Sequence, residues 1–185
     1  MPIIAKSSGE GSFELAPTGN QQAVCVFVED IGTHEGNYQG KITRRRQVVI
    51  CWELDEKMTE GDNAGKPFML SKFYTLSLSE KSNLRHDLQS WRGKAFTEEE
   101  LSGFDLENLK GANCLLNVIP YNKIDGSEGR KIGAISPLIK NMQKIFPINT
   151  IPPEWISKKR SESLDFQENT SSDYVPPPTD DDLPF

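Results

Sequence analysis

The hydrophobic positions of this chain gather into five β-prone runs, with polar or glycine-containing stretches between them. The runs cover residues 23–28, 38–54, 68–78, 112–121 and 130–135. Turn-rich stretches separate the runs at residues 31–37, 60–67 and 125–129. The pattern predicts an all-β protein of five strands with small helices.

The spacing of hydrophobic residues becomes helical between the third and fourth runs. Leu84, Leu88 and Trp91 follow an i, i+4, i+7 pattern and therefore share one face of a helix. Ser82 is a suitable N-cap, and Gly93 stands just past the end. We expect one helix between strands three and four, with its apolar face against the core.

Two more helix starts are visible downstream. Thr97 and Glu100 have the spacing of a capping box, in which each side chain bonds to the other residue's backbone N–H. Ser136 and Pro137 have the form of an N-cap followed by a first helical residue, and Pro147 is a stop signal. We therefore expect a short amphipathic helix directly after the fifth strand.

Length and composition limit the chain to one ordinary domain with flexible ends. It has 185 residues, of which 36% are hydrophobic. We assign residues 1–20 to an N-terminal arm, 21–146 to the folded domain, 147–178 to a linker that is largely disordered after residue 160, and 179–185 to an acidic tip. Residues 151–155, at the start of the linker, are candidates to pack on the domain.

The acidic charge of the chain is concentrated in its C-terminal tail. Seven acidic residues and no Lys or Arg follow Arg160, whereas the whole chain carries a formal charge of −6. Residues 1–160 therefore sum to about +1. The low isoelectric point of the chain therefore comes from the tail and not from residues 1–160. It does not argue against binding to nucleic acid.

Nothing in the sequence suggests a disulfide framework or a membrane segment. Cys25, Cys51 and Cys114 are far apart and lie in apolar runs, so we expect buried free thiols in a reducing compartment. The N-terminus lacks the apolar core of a signal peptide, and no stretch approaches the roughly 20 apolar residues of a transmembrane helix. We expect a cytoplasmic protein with no membrane partner.

The titratable residues do not form a catalytic pattern. His34 and His86 have no metal-ligand spacing, and the acidic residues scatter over loops and helix starts. The sequence also lacks a phosphate-cradling glycine loop and a nucleophile motif. We therefore expect a protein that is not an enzyme and that uses neither metal nor cofactor.

The chain ends in a peptide suited to capture by a partner protein. A basic site can bind the terminal carboxylate while the Phe185 side chain fills an apolar pocket, and Pro184 lowers the cost of ordering it. Acidic residues before them steer the peptide toward a positive surface. The residues of this predicted partner site are Asp180, Asp181, Asp182, Leu183, Pro184 and Phe185.

This ending resembles the acidic tip of bacterial and bacteriophage single-stranded DNA-binding proteins, which recruits replication and repair enzymes. The order of three strands, a helix and two strands over residues 21–136 is similar to the oligonucleotide/oligosaccharide-binding (OB) fold, a five-stranded Greek-key barrel. The body does not match the housekeeping bacterial members, so the resemblance is to a phage-encoded or divergent bacterial member. It implies binding to single-stranded DNA without strong sequence preference during replication, recombination or repair, in the host cytoplasm if the protein is phage-encoded.

Barrels of this kind bind nucleic acid across strands two and three and the loops beside them, through cations and flat side chains. The candidate cations are Lys41, Arg44, Arg45, Arg46, Lys66, Lys72, Lys123, Arg130 and Lys131, and the candidate aromatics are Tyr38, Trp52, Phe73 and Tyr121. Strand alternation places Phe73 among mostly polar neighbours, so it is the first choice for an outward stacking platform. Trp52 fits either face, because both faces of its strand are apolar.

Other interpretations remain compatible with the sequence. SH3-like barrels and other small β folds share part of this strand order, and a non-catalytic protein-interaction adaptor built on a small β-barrel is the alternative function. An adaptor would show no binding to oligonucleotides that depends on strand length. The sequence is equally compatible with a monomer and a homo-oligomer, and with a preference for DNA or for RNA.

Overall fold

A computed structural model describes residues 14–165 and contains one antiparallel sheet. Its strands are β1 (Gly19–Tyr38), β2 (Lys41–Lys57), β3 (Pro67–Thr75), β4 (Asn113–Asn122) and β5 (Glu128–Pro137). They are arranged in the order β3-β2-β1-β4-β5. The helices are α1 (Asn83–Arg92), α2 (Glu98–Ser102) and α3 (Glu154–Ser161), with short 3-10 turns at Gly61–Asn63 and Leu106–Leu109. The prediction of a mostly β protein with small helices is confirmed.

The strand order leaves β3 and β5 at the two edges of the sheet. Within the described residues no ladder joins these edges, yet some of their Cα atoms lie within 8 Å of one another. Helix α1 contacts both edge strands. The sheet therefore curls around α1, which covers its concave, inner face.

The first two strands form one long hairpin, so the loop predicted at residues 31–37 is wrong. β1 continues to Tyr38, and the chain turns at Gln39 and Gly40, which have φ values of 51° and 78°. Positive φ at both central residues is typical of tight hairpin turns. The glycine that suggested a loop, Gly32, instead has a φ of 80° and stands at a register shift within the ladder.

The predicted helix between β3 and β4 is confirmed as α1. The Ser82 side chain accepts a hydrogen bond from the Arg85 N–H, and Gly93 ends the helix with a φ of 67°. The apolar face of α1 is buried, as the spacing predicted. The capping box of Thr97 and Glu100 is also confirmed, at the start of α2.

The helix predicted after the fifth strand is wrong. Ser136 and Pro137 pair with Leu115 and Cys114 as the last residues of β5, and residues 138–153 contain no helix. A proline is tolerated there because it stands at the end of an edge strand. Helix α3 forms instead within the segment predicted as a linker, directly after Pro153.

Residues 138–153, which we call the strap, run from β5 to α3 and bond to the sheet. The Asn113 side chain accepts from the Ile145 N–H and donates to the Ile145 carbonyl, both at 2.9 Å. The Glu53 carboxylate, only 1% exposed, accepts from the Ile148 N–H at 2.7 Å and from the Asn149 N–H at 2.8 Å and side chain at 2.6 Å. These bonds satisfy a buried carboxylate and set the direction in which the chain enters α3.

The core has two parts, one on each face of the sheet. Trp52 of β2 packs with α1 in the larger, inner part. On the outer face, Val49 and Cys51 of β2 pack with Phe27 of β1 and with Ile156 of α3. Residues 48–54 of β2 are thus buried on both faces of the sheet, which explains why this hydrophobic run does not alternate with polar residues.

Candidate nucleic-acid interface

The outer face of β3 is left partly open by the elements around it. In the ladder, Val49 pairs with Phe73 and Cys51 with Ser71, so these residues project from the same face. Ile156 of α3 covers the β2 residues of this face and is itself only 1% exposed. Phe73 remains 47% exposed beside the helix. The prediction that Phe73 points outward is confirmed.

A concavity of about 560 Å³ lies along one side of Phe73. Arg45 of β2 and Lys81, before α1, contribute its positive charge, and neither forms an ion pair with another residue in the range 14–165. The remaining lining residues are Gln47, Tyr74, Thr75, Ser77, Ser79, Ser82 and Asn83. This concavity therefore combines two cations, an exposed ring and several hydroxyl groups, without a carboxylate in its lining. Lys81 was not among the candidates from the sequence, because a lone lysine in a loop gives no distinguishing signal.

A second concavity, of about 730 Å³, includes Met69 and Ser71 from the same face of β3, and Lys66 adds a positive charge. Its one lining carboxylate, Glu14, is already engaged by the N–H groups of Thr59 and Glu60 at 2.7 and 3.1 Å and by the Thr59 hydroxyl at 3.0 Å. The bond from the Thr59 N–H is the main reason that the pKa of Glu14 is lowered, and it outweighs desolvation. Lys66 itself donates to the side chain of Asn63 at 3.0 Å.

An aromatic pair separates the two concavities. The ring centroids of Phe73 and Trp155 are 5.8 Å apart, and the ring planes are inclined by 57°. Trp155 is 40% exposed and lines the second concavity, whereas Phe73 lines the first. The sequence had indicated only that residues 151–155 could pack on the domain. It gave no sign that Trp155 would stand next to Phe73.

The three consecutive arginines of β2 differ in their partners. Arg44 pairs with Glu35 at 3.0 Å and Arg46 with Asp30 at 2.5 Å, both across the hairpin. Desolvation acts to raise the pKa of Asp30, but the Arg46 guanidinium and a backbone N–H together lower it. Arg45, on the other face, instead has its guanidinium 5.9 Å from the ring centroid of Tyr38. Two of the three arginines are thus matched by carboxylates within the fold.

Trp52 is a candidate that the structure removes from the surface. It is 0% exposed and packs against Trp91 with ring centroids 5.7 Å apart. A base cannot reach a ring in that position without unfolding of the domain. The cause is α1, which covers the inner face of β2 and so decides which of two apolar faces is the core.

Lys72 and Arg130 are engaged in structural contacts. Lys72 lies 2.6 Å from the Asp87 carboxylate of α1, which also accepts from the Tyr74 hydroxyl at 2.8 Å. Burial, with help from Asp87, raises the pKa of Tyr74. Arg130 pairs with Glu128 and donates to the Ala16 carbonyl at 2.8 Å, which attaches the start of the described chain to β5.

The other candidates lie outside both concavities. Tyr38 and Lys41 flank the tip of the long hairpin, where Tyr38 is 60% exposed. Tyr121, Lys123 and Lys131 belong to the hairpin between β4 and β5, where the Lys131 ammonium lies 5.7 Å from the Tyr121 ring centroid. The residues predicted to bind a partner, from Asp180 to Phe185, lie outside the described residues.

The three thiols lie inside the fold, and the acidic side chains of residues 14–165 do not gather into a metal site. Cys25, Cys51 and Cys114 are free and buried, as predicted. Burial raises the pKa of all three, that of Cys51 to about 12, so their thiolates are not populated at neutral pH. Residues 14–165 hold no group of three or more His, Cys, Asp or Glu side chains arranged for a metal ion. None of the helices in this range has the length and apolar composition required to cross a bilayer.

No protein-family model matches the chain, and no curated protein matches it either.

Proposed function

We propose that this protein binds single-stranded DNA without strong sequence preference, along the outer face of β3. The observation that carries the proposal is the pair of concavities on either side of Phe73 and Trp155, with Arg45 and Lys81 in one and Lys66 in the other. Unpaired bases stack on exposed rings, and phosphates require cations nearby. The two concavities supply both, and no carboxylate without a partner lines them.

The topology supports this proposal. An OB barrel is a five-stranded, partly open Greek-key barrel that binds oligonucleotides on strands two and three. The strand order β3-β2-β1-β4-β5, the approach of β3 to β5 and the position of α1 between β3 and β4 are those expected for such a barrel. We therefore propose that the sheet is an OB barrel, and that its candidate binding face is the one with the exposed aromatic pair.

We further propose that residues 180–185 recruit replication, recombination or repair proteins. This part of the proposal rests on the sequence, in which three aspartates precede Leu183, Pro184 and the terminal Phe185. In this view the protein is a non-catalytic, phage-encoded or divergent bacterial member of the single-stranded DNA-binding proteins and acts in the cytoplasm.

Fluorescence anisotropy of labelled oligo(dT), matched RNA and duplex DNA, titrated at two salt concentrations, tests the DNA-binding proposal. We expect tight binding to oligo(dT) that weakens at higher salt, because counterions are released when cations neutralise phosphates. Duplex DNA should bind much less, because its bases are not free to stack. Absence of binding to oligo(dT) at low salt would overturn the proposal.

Deletion of residues 180–185 tests the proposed role of the acidic tip. A chain that lacks residues 180–185 should bind oligo(dT) at low salt at least as tightly as the full chain, since the acidic tail competes with phosphates for cations. The same deletion should abolish capture of replication or repair proteins from a lysate of the host. Weaker DNA binding after the deletion would contradict a competing tail.

One observation favours the adaptor as a second candidate. The strap exposes four large apolar side chains, since Ile139 is 62%, Phe146 81%, Ile148 59% and Ile151 80% exposed. Clustered exposed apolar residues are common at protein-binding surfaces. If no oligonucleotide binds, this surface becomes the best candidate for a partner protein.

A further inference from the structure

We propose that helix α3 is one wall of the DNA-binding groove, so that two neighbouring bases stack on the outer sides of the Phe73 and Trp155 pair. This inference rests on the proposed binding of single-stranded DNA and adds the path of the strand. It also assigns a binding role to a helix within the segment that the sequence predicted to be a linker.

The geometry of the pair excludes a base between the two rings. At 5.8 Å between centroids and an inclination of 57°, the rings are already in direct contact. A base must therefore stack on the open side of either ring. The open side of Phe73 belongs to the concavity with Arg45 and Lys81, and that of Trp155 belongs to the concavity with Lys66. Each stacked base would thus have cations near its phosphate.

Helix α3 also removes the competing path across the sheet. Ile156 packs on Val49 and Cys51, so the outer face of β2 is closed where an unpaired base would otherwise meet it. What remains open is the strip along β3 from Met69 to Thr75. Seven strand residues span only about 20 Å, so we expect the site size to fall at the low end of the range of about 4–16 nucleotides per OB fold.

The position of α3 does not depend on the aromatic pair. Ile156 is buried, and the Arg160 guanidinium donates to the Asp30 carbonyl and to the Glu29 carboxylate, both at 2.8 Å. The strap holds the other end of the helix through Glu53. Trp155 is therefore presented from a helix anchored by other residues, so a substitution there can remove the ring without releasing the helix.

The tryptophans of the chain provide a direct readout. There are three, and Trp52 and Trp91 are 0% and 6% exposed, whereas Trp155 is 40% exposed. A base that stacks on Trp155 should quench its emission. Saturation of the full-length protein with oligo(dT) is therefore expected to lower tryptophan fluorescence, and the Trp155→Phe variant should lose this change while it retains binding within about threefold, since a phenyl ring also stacks.

Affinity for oligo(dT), measured by anisotropy, completes the test. Trp155→Ala and Phe73→Ala should each weaken binding about 5- to 150-fold, the range that corresponds to loss of one stacked base. Ile139→Ala is the matched control, because Ile139 is a 62% exposed apolar residue of the strap that lines neither concavity. It should bind like the unmodified protein.

The outcomes separate this inference from the function on which it rests. If oligo(dT) binds, but its binding leaves tryptophan emission unchanged and Trp155→Ala binds normally, α3 is not part of the groove and only the inference is overturned. If oligo(dT) does not bind at all, the proposed function itself fails. If Trp155→Ala unfolds at a lower temperature, the emission change in the unmodified protein and its loss in Trp155→Phe decide the question.

Discussion

Two aromatic pairs in this fold have almost the same geometry and very different surroundings. Trp52 and Trp91 are 5.7 Å apart with an inclination of 52°, and Phe73 and Trp155 are 5.8 Å apart with an inclination of 57°. The first pair is 0% and 6% exposed, and the second is 47% and 40% exposed. Burial, not ring geometry, therefore separates an aromatic pair that stabilises a core from one that remains available to a ligand.

Neighbouring strands produce both environments. Trp52 projects from the inner face of β2 toward α1, whereas Phe73 projects from the outer face of β3 beside α3. Beneath α1, Trp52 is 0% exposed, whereas Phe73 beside α3 remains 47% exposed. The same alternation of side chains thus yields a core on one face and a candidate groove on the other.

The largest expected effect is on stability, at the buried pair. Trp91→Ala should lower the free energy of unfolding by about 3–5 kcal/mol, because it leaves a cavity against Trp52. Trp155→Ala should cost less, about 1–3 kcal/mol, since 40% of the residue is already exposed to water. Urea denaturation of both variants checks this, and equal losses would contradict the contrast between the two pairs.

A second variant tests whether the strap holds the outer pair together. Glu53→Ala removes the acceptor of three part-buried hydrogen bonds from the strap, at a cost of about 1–3 kcal/mol. Limited proteolysis should then cut the strap faster than in the unmodified protein. Glu56→Ala, at an exposed position of the same strand, is the control and should leave the cleavage rate unchanged.

Arg44 and Arg45 of β2 allow a comparison, in the salt dependence of DNA binding, between an arginine paired with a carboxylate and one without such a pair in the range 14–165. Arg45→Ala should lower the slope of log K against log salt for oligo(dT) by about 0.7, the value for one phosphate contact on a single strand. Arg44→Ala should change the slope less, because Glu35 already compensates that charge. Equal slopes for the two variants would indicate that Arg45 does not contact a phosphate.

The smallest expected effect concerns the ion pair between Asp30 and Arg46. Because the folded state lowers the pKa of Asp30, its contribution to stability is present above the ordinary value near pH 4 and is lost as pH falls through the lower, folded value. The pair is partly exposed, so the contribution should stay below about 1 kcal/mol. Asp30→Asn should therefore flatten the acid side of a stability profile measured from pH 6 to pH 3 only slightly.

Local sequence signals were sufficient to predict α1 and the start of α2. Their caps and apolar spacing involve residues within a few positions of one another, and such interactions do not depend on the rest of the fold. The loop wrongly predicted at residues 31–37 and the helix wrongly predicted after the fifth strand have a long-range cause. β1 continues through Gly32 because it pairs with β2, and β5 continues to Pro137 because it pairs with β4. In both places, pairing between strands outweighed the local turn or helix signal.

The sequence alone was enough to predict the order of the five strands, the position of α1, the outward direction of Phe73 and the separation of an acidic tail from a near-neutral body. Those properties follow from alternation, spacing and charge along the chain. The sequence did not show that Trp52 is buried, that Lys72 is paired with Asp87, or that Trp155 lies beside Phe73. Each of these depends on contacts between residues from different elements, and the residues along one strand do not specify which helix will cover it.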